Sequence, residues 1–166
     1  MFAENRKQLI ALGTQRFQNR FGFGKAAELA RLNLDSHIKK VSELRDYMVD
    51  QILKRIPDTY YNGDKVNRHP GNANITFEYI EGEAMLILLD QKGICVSTGS
   101  ACSSKSLKPS HVLSAIGIPV ERIHGSLRLT VGDFTTKEDV DYVVDSLEEI
   151  VSKLRSISSV NTQKGW

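Results

Sequence analysis

The 166-residue chain carries 22 basic and 20 acidic side chains, and its formal net charge of +2 argues against the concentrated basic surface of nucleic-acid-binding domains. Its 40% hydrophobic and 25% charged residues are typical of a globular protein and exclude a mainly disordered chain. No apolar run approaches the roughly 20 residues that cross a bilayer, and the charged N-terminus lacks the apolar centre of a signal peptide. We therefore expect a cytoplasmic protein without a membrane or nucleic-acid partner.

The first half of the chain predicts a long helix, a loop and a strand. Between Gly24 and Arg55, apolar residues at three- and four-residue steps form one face of an amphipathic helix: Leu34, Ile38, Val41, Leu44, Met48 and Ile52. Pro57 ends this helix, because proline disfavours helical geometry in the residue before it. Asn-Gly, His-Pro and Pro-Gly steps then indicate a loop. The stretch NITFEY alternates Ile75 and Phe77 inward, as a strand does.

The second half predicts two short helices, two further strands and a long terminal helix. EGEAMLILLDQKG is typical of a short buried helix, ICVSTG of a strand, and KPSHVLSAIGI of a short helix that ends at Gly117. GSLRLTVG, from Gly125 to Gly132, alternates as a third strand. Thr135 and Glu138 have the spacing of a capping box, and a helix with regular apolar spacing follows them.

Together these elements predict an α+β fold of one domain. We expect a small antiparallel sheet of about three strands, covered by helices of which two are long. The predicted connections between strands are short, and no internal repeat or linker-like change of composition divides the chain.

The two cysteines occupy different surroundings. Cys95 has apolar neighbours in GICVS and is predicted to fill the core, as small cysteines commonly do. Cys102 lies among small polar residues in STGSACSS, which leave its sulfur sterically open, and Lys105 and Lys108 favour the thiolate. Cys102 is thus either a nucleophile or an ordinary exposed cysteine. A structural disulfide is not expected in a reducing compartment.

No metal site is expected. Cys95, Cys102, His111 and His124 could be assembled into a zinc set on paper, but no pair among them has the spacing of known zinc motifs.

Arg128 lies in the middle of the alternating strand SLRLTV. Because Leu127 and Leu129 share one face, Arg128 points to the other face with Ser126 and Thr130. A guanidinium presented from a strand can hold a carboxylate in a two-point contact. The alternative is an arginine that simply faces solvent.

Several motifs, in this order, resemble the C-terminal part of the NifS-like cysteine desulfurases: STGSACSS, PSHVLSAIGI and SLRLTVGDFTTKEDVD. These enzymes belong to the class V aminotransferase group and use pyridoxal phosphate. The resemblance runs from about Phe21 to Leu154 and implies the small C-terminal domain of the fold type I aminotransferase architecture. It divides the chain into an atypical N-terminal segment (1–20), a desulfurase-like domain (21–157) and a disordered tail (158–166).

The resemblance also implies site residues and partners. Cys102 takes the role of the catalytic thiol, which removes sulfur from L-cysteine to leave L-alanine and a cysteine persulfide. Arg128 takes the role of the arginine that holds the substrate carboxylate. Thr14 stands where the family has a threonine that contacts the cofactor phosphate of the neighbouring subunit. Implied partners are sulfur-acceptor proteins of iron–sulfur cluster assembly or tRNA thiolation.

One family feature is missing from the sequence. The lysine that binds pyridoxal phosphate lies in a His-Lys pair near a GPKG stretch, and this chain contains neither. We therefore expect the C-terminal part of a longer enzyme, which binds no cofactor by itself, is inactive alone, and associates as a homo-oligomer or with a companion chain. The alternative is a stand-alone sulfur carrier or interaction module without catalysis, with Cys102 accepting sulfur from another protein.

Overall fold

The computed structural model describes residues 17–98 and 109–158. The chain divides into two compact units, Met1–Ile38 and Lys39–Trp166. The elements in chain order are α1 (Phe17–Arg55), β1 (Thr59–Tyr61), β2 (Asn72–Phe77), α2 (Gly82–Gln91), β3 (Ser97–Thr98), α3 (His111–Ala115), α4 (Val120–Ile123), β4 (Ser126–Thr130) and α5 (Lys137–Ile157).

The first unit contains the N-terminal part of α1, which begins before the predicted position near Gly24. Its described side chains are mostly exposed, and Lys25 pairs with Glu28 at 2.9 Å within the helix. Leu34 and Ile38, which belong to the predicted apolar face, are 52% and 40% exposed. Helical periodicity identifies an apolar face, but it does not identify what covers that face.

The rest of α1 belongs to the second unit and confirms the predicted apolar face. Val41, Met48 and Ile52 are buried in the core. Near the end of the helix, Arg55 donates to Asp145 at 2.6 Å and also pairs with Glu148, both on α5. Side chains of the two long helices therefore contact each other. No helix in the described ranges is long and apolar enough to span a membrane.

The sheet has four antiparallel strands in the order β1-β2-β4-β3. The sequence analysis missed β1, because its three residues stand among turn-forming residues. It also placed β2 two residues too late, at 74–79, because the strand ends at Phe77 and Tyr79 lies in a turn with φ of 69°. The antiparallel α+β architecture is confirmed, with one more strand than expected.

Gly125 allows β4 to begin close to β2. A Cβ atom at this position would stand 2.2 Å from the backbone oxygen of Phe77 and 2.9 Å from that of Ile80. Any larger residue would push the strands apart, so glycine is required here for steric reasons.

One face of the sheet forms the core with α1, α2 and α5. Ile75, Phe77, Leu127 and Leu129 are buried in it. The predicted core position of Cys95 is wrong, because Cys95 is exposed and its neighbour Ile94 is buried instead. Successive side chains of an extended segment point to opposite sides, so in the segment before β3 only one of the neighbours Ile94 and Cys95 can point inward.

Helix α5 begins with a capping box one residue later than predicted. The side chain of Thr136 accepts from the backbone N–H of Asp139 at 3.1 Å, and the backbone N–H of Thr136 donates to the Asp139 carboxylate at 2.9 Å. Thr135 cannot serve as the cap, because its side chain accepts from the backbone N–H of Gly132 at 3.0 Å. The bond from the backbone N–H of Thr136 to the carboxylate is the main cause of the lowered pKa of Asp139.

Candidate functional site

The sheet face opposite the core is polar. In β2 and β4 the residues that alternate with the buried apolar side chains carry amide, hydroxyl or guanidinium groups: Asn72, Asn74, Thr76, Ser126, Arg128 and Thr130. Polar side chains at every second position of two paired strands place a continuous hydrogen-bonding surface on one face. This surface is the candidate site.

Arg128 lies on this polar face, opposite Leu127 and Leu129, as the alternation predicts. Its side chain is exposed, as is that of Thr130, whereas Ser126 is fully buried. The Arg128 guanidinium makes no hydrogen bond or ion pair with any residue that the structure describes. An exposed guanidinium without a carboxylate partner is available to bind an anion.

A chain of hydrogen bonds runs across the buried end of the polar face. The Asn62 side-chain amide donates to Asn74 Oδ1 and to Thr76 Oγ1, each at 2.7 Å. Thr76 Oγ1 lies 2.8 Å from Ser126 Oγ, and Ser126 donates to the backbone oxygen of Arg122 at 3.4 Å. Asn62, Thr76 and Ser126 are buried, so these contacts satisfy polar groups that would otherwise be costly to bury.

The loop after β1 holds Asn62 in position. Arg68 donates to the backbone oxygens of Asn62 and Asp64, at 2.5 and 2.6 Å, and its guanidinium lies 3.9 Å from the Tyr61 ring centroid. Asp64 accepts from the backbone N–H of Asn67, and this bond is the main cause of its lowered pKa. The sequence analysis treated this segment only as a loop and missed Asn62 and Arg68, whose polar side chains were the available indication of a hydrogen-bonding role.

Two predicted site residues fall outside the described residues: Cys102 and Thr14. The structure does place the strand that leads to the cysteine, because Ser97 of β3 is the register partner of Arg128. Asn74, another register partner of Arg128, was missed, although the alternation in NANITF could have found it.

The structure offers no metal centre in the part of the chain that it describes. His111 and His124 are exposed, and no group of three or more His, Cys, Asp or Glu side chains in the described ranges could hold a metal ion.

A separate cleft of 970 Å³ lies between the turn after β2, α4 and the end of α5. Three carboxylates, Glu78, Glu81 and Glu121, line it, and Arg122 pairs with Glu78 at 2.6 Å. Because carboxylates outnumber cations there, the cleft does not suit a carboxylate ligand. The polar sheet face is the better candidate for one.

Residues 2–143 match the family model described as "Aminotransferase class-V". The chain belongs to the aminotransferase class V family. It is 54% identical over 155 residues to "Cysteine desulfurase IscS" of Dictyoglomus turgidum, and 48% identical over 162 residues to "Cysteine desulfurase IscS" of Methanosarcina thermophila. These matches cover 93% and 98% of this chain, which spans 39% of each relative. The resemblance to the cysteine desulfurases is confirmed.

Solved structures show the same likeness. The chain matches the NifS-like protein from Rickettsia africae with a TM-score of 0.69 and 29% identity, over 79% of this chain and 33% of that one. A second structure, titled "NIFS-LIKE PROTEIN", matches with a TM-score of 0.72 and 27% identity, over 84% of this chain and 35% of that one. The predicted small domain of the fold type I architecture agrees with these neighbours.

Class V aminotransferases use pyridoxal phosphate, and the described residues do not fit this group. An imine-forming lysine needs a site that favours its neutral amine. None of the lysines in the described ranges is buried. The hydrogen bond from Lys92 to Glu149 raises the pKa of Lys92, and bonds with Tyr47 and Asp141 raise that of Lys137. The described part of this chain therefore supplies no lysine for the cofactor.

Proposed function

We propose that this chain supplies the thiol and the substrate-carboxylate contact of a cysteine desulfurase, while other residues hold the cofactor. The observation that carries the proposal is the exposed guanidinium of Arg128 on a polar sheet face, without a hydrogen-bond or ion-pair partner in the ranges 17–98 and 109–158, in a chain 54% identical to a desulfurase. In this function Arg128 binds the α-carboxylate of L-cysteine, and Cys102 receives its sulfur.

The chain connectivity supports a joint role for these two residues. Ser97 pairs with Arg128, and β3 ends at Thr98, four residues before Cys102. Four residues span at most about 14 Å when extended, so the thiol is tethered near the strand that flanks the arginine. A short tether of small residues allows a thiol to approach a bound substrate and then an acceptor.

The net reaction balances without another reactant. The thiol of Cys102 and L-cysteine give a persulfide on Cys102 and L-alanine. A sulfur–sulfur bond forms and the carbon–sulfur bond of the substrate breaks. The substrate carbon is reduced to a methyl group, and the two sulfur atoms are oxidised. A sulfur-acceptor protein then takes the outer sulfur atom for iron–sulfur cluster assembly or tRNA thiolation.

The proposed function has a direct test. The full chain is incubated with pyridoxal phosphate and L-cysteine, and L-alanine is measured. In parallel, the chain replaces its matched segment in the Dictyoglomus turgidum desulfurase. We expect no alanine above background from the chain alone, because the described residues provide no cofactor lysine, and steady alanine production from the fusion.

Matched variants of the fusion assign the thiol. Cys102→Ser should abolish alanine formation, whereas Cys95→Ser should leave it unchanged, although Cys95 is also exposed. Equal loss in both variants would contradict the assignment of the thiol. Turnover by the chain alone would contradict the proposal that other residues hold the cofactor.

The sulfur-carrier alternative is tested on the chain alone with a polysulfide donor. Intact-protein mass spectrometry would then show one added sulfur that is lost in Cys102→Ser and kept in Cys95→Ser. If the chain loads in this way and the fusion remains inactive, the carrier function replaces the enzymatic one.

The first unit supports association with further protein. Phe21, Phe23 and Leu32 on α1 are 67%, 77% and 60% exposed, far more than a helix normally leaves to solvent. We propose that they contact the part of the enzyme that this chain does not span. Light scattering should show self-association of the chain alone, and Phe21→Ser with Phe23→Ser should reduce it.

A further inference from the structure

The register of the sheet places four polar residues in one row. Asn62 donates its backbone N–H to the backbone oxygen of Asn74, Asn74 is the register partner of Arg128, and Arg128 is the register partner of Ser97. The row runs from Asn62, the residue after β1, across β2, β4 and β3 on the face opposite the core. It holds one positive charge and no carboxylate.

Asn74 and Arg128 form the closer of the two kinds of antiparallel pair. The backbone N–H of Phe77 donates to the oxygen of Gly125 at 2.9 Å, which makes that pair a hydrogen-bonded one. Hydrogen-bonded and non-hydrogen-bonded pairs alternate, so Asn74 and Arg128, three steps along, form a non-hydrogen-bonded pair. Their Cβ atoms are therefore about 5 Å apart on the same face.

The hydrogen-bond chain beside this pair has a single direction. It ends at the backbone oxygen of Arg122, which can only accept, so Ser126 donates its one proton there. Thr76 must then donate to Ser126, and it accepts from Asn62. The second proton of the Asn62 amide goes to Asn74 Oδ1.

This direction determines which end of the Asn74 amide remains free. Its oxygen is occupied by Asn62, while its Nδ2 has no hydrogen-bond partner among the described residues. The amide nitrogen is thus a donor with two protons on the same face as the Arg128 guanidinium, which no described residue pairs with. A carboxylate has two oxygens and accepts from several donors at once.

We propose that Asn74 is a second substrate-binding residue, which donates its side-chain N–H to the carboxylate held by Arg128, and that Asn62 is its positioning residue. This inference rests on the proposed function. It also gives a role to the polar relay, which is the buried hydrogen-bond chain of Asn62, Thr76 and Ser126. The relay keeps the nitrogen of the Asn74 amide, rather than its oxygen, turned toward the ligand. The site then selects substrates that carry a carboxylate.

The test is carried out on the full 166-residue chain with L-alanine, the reaction product, as the probe. Side-chain amide and guanidinium N–H signals are followed by NMR while L-alanine is added at constant ionic strength. We expect saturable shifts of the Asn74 side-chain N–H₂ and the Arg128 Nε–H signals. Ethylamine, which lacks the carboxylate, should leave both signals in place.

Isosteric variants measure the contribution of Asn74. Asn74→Asp replaces a donor by a negative charge, and we expect the dissociation constant for L-alanine to rise at least tenfold, the usual effect of losing a hydrogen bond to a charged group. Asn72→Asp is the matched control, since Asn72 lies on the same face of β2, two residues away. It should change the constant less than threefold.

A double-mutant cycle tests the positioning role of Asn62. Asn62→Asp lets Asn74 turn its nitrogen toward residue 62, so binding should weaken although Asn62 itself is buried away from the ligand. In the double variant with Asn74→Ala, the loss should equal that of Asn74→Ala alone. Independent, additive losses would assign Asn62 a merely structural role and overturn this part of the inference.

The outcomes separate this inference from the function on which it rests. If Arg128→Gln abolishes alanine binding and Asn74→Asp does not weaken it, the role of Asn74 is wrong and the proposed function stands. If Arg128→Gln has no effect on alanine binding, or if the chain binds no L-alanine, this inference and the carboxylate role of Arg128 are both overturned, while the thiol role of Cys102 is decided separately by the fusion.

Discussion

The two faces of the four-stranded sheet are built from alternate residues of the same strands, yet their surroundings differ completely. Ile75 and Leu127 are fully buried against the helices, whereas their neighbours Asn74 and Arg128 reach solvent on the other side. The apolar face can be held by any well-packed set of side chains. The polar face needs particular donors in a particular order, so we infer that stability depends mainly on the first face and ligand binding on the second.

The largest expected effect on stability comes from the apolar face. Leu127→Ala removes a fully buried side chain from the core and should lower the free energy of unfolding by about 2–5 kcal/mol. Urea denaturation followed by circular dichroism measures it. Thr130→Ala, at an exposed position of the same strand, is the control and should change little. A comparable loss from both variants would break the contrast between the faces.

A smaller effect is expected from the buried polar relay. Thr76→Val removes a hydroxyl that accepts from Asn62 and contacts Ser126, leaving both without that partner. The free energy of unfolding should fall by about 1–3 kcal/mol. Thr76→Ser retains the hydroxyl and should recover most of the loss. If the valine variant is as stable as the wild type, the relay does not need its central hydroxyl.

The capping box of α5 provides a polar contact outside the sheet for comparison. Asp139→Asn should lower the free energy of unfolding at neutral pH by less than Thr76→Val does, since it weakens the hydrogen bond that the Asp139 carboxylate accepts from the backbone N–H of Thr136. Because hydrogen bonds from Thr136 lower the pKa of Asp139 below its usual 3.8, its contribution is present above that pH and is lost as pH falls through the folded-state pKa. Denaturation at pH 7 and pH 3 should show the two proteins converging in acid. A constant difference would exclude the carboxylate as the cause.

The smallest effect on stability is expected from Arg128, the residue with the largest proposed functional role. Arg128→Gln removes no contact within the described residues and should change the free energy of unfolding by less than about 0.5 kcal/mol. Thermal denaturation of the same sample used for alanine binding measures both properties. A strongly destabilised variant would mean that Arg128 supports the fold, and the division between the two faces would no longer hold.

Much of the architecture was predictable because it depends on local patterns. Period-two alternation predicted β2 and β4 and the outward direction of Arg128, and helical spacing predicted α1 and α5. The motifs around Cys102 and Arg128 are specific enough to indicate the family by themselves. These signals are carried by neighbouring residues, and they can be read without knowledge of distant contacts.

Only the tertiary structure decided how separate segments meet. It revealed β1, and it showed that Cys95 is exposed and that Leu34 and Ile38 are partly open to solvent. These features were not predictable because burial depends on partners far away in sequence. It also brought Asn62 against Asn74, and Asn74 beside Arg128, through strand pairings between residues 12 and 54 positions apart. The direction of that hydrogen-bond chain follows from a backbone carbonyl that can only accept, and no pattern along a single strand contains this information.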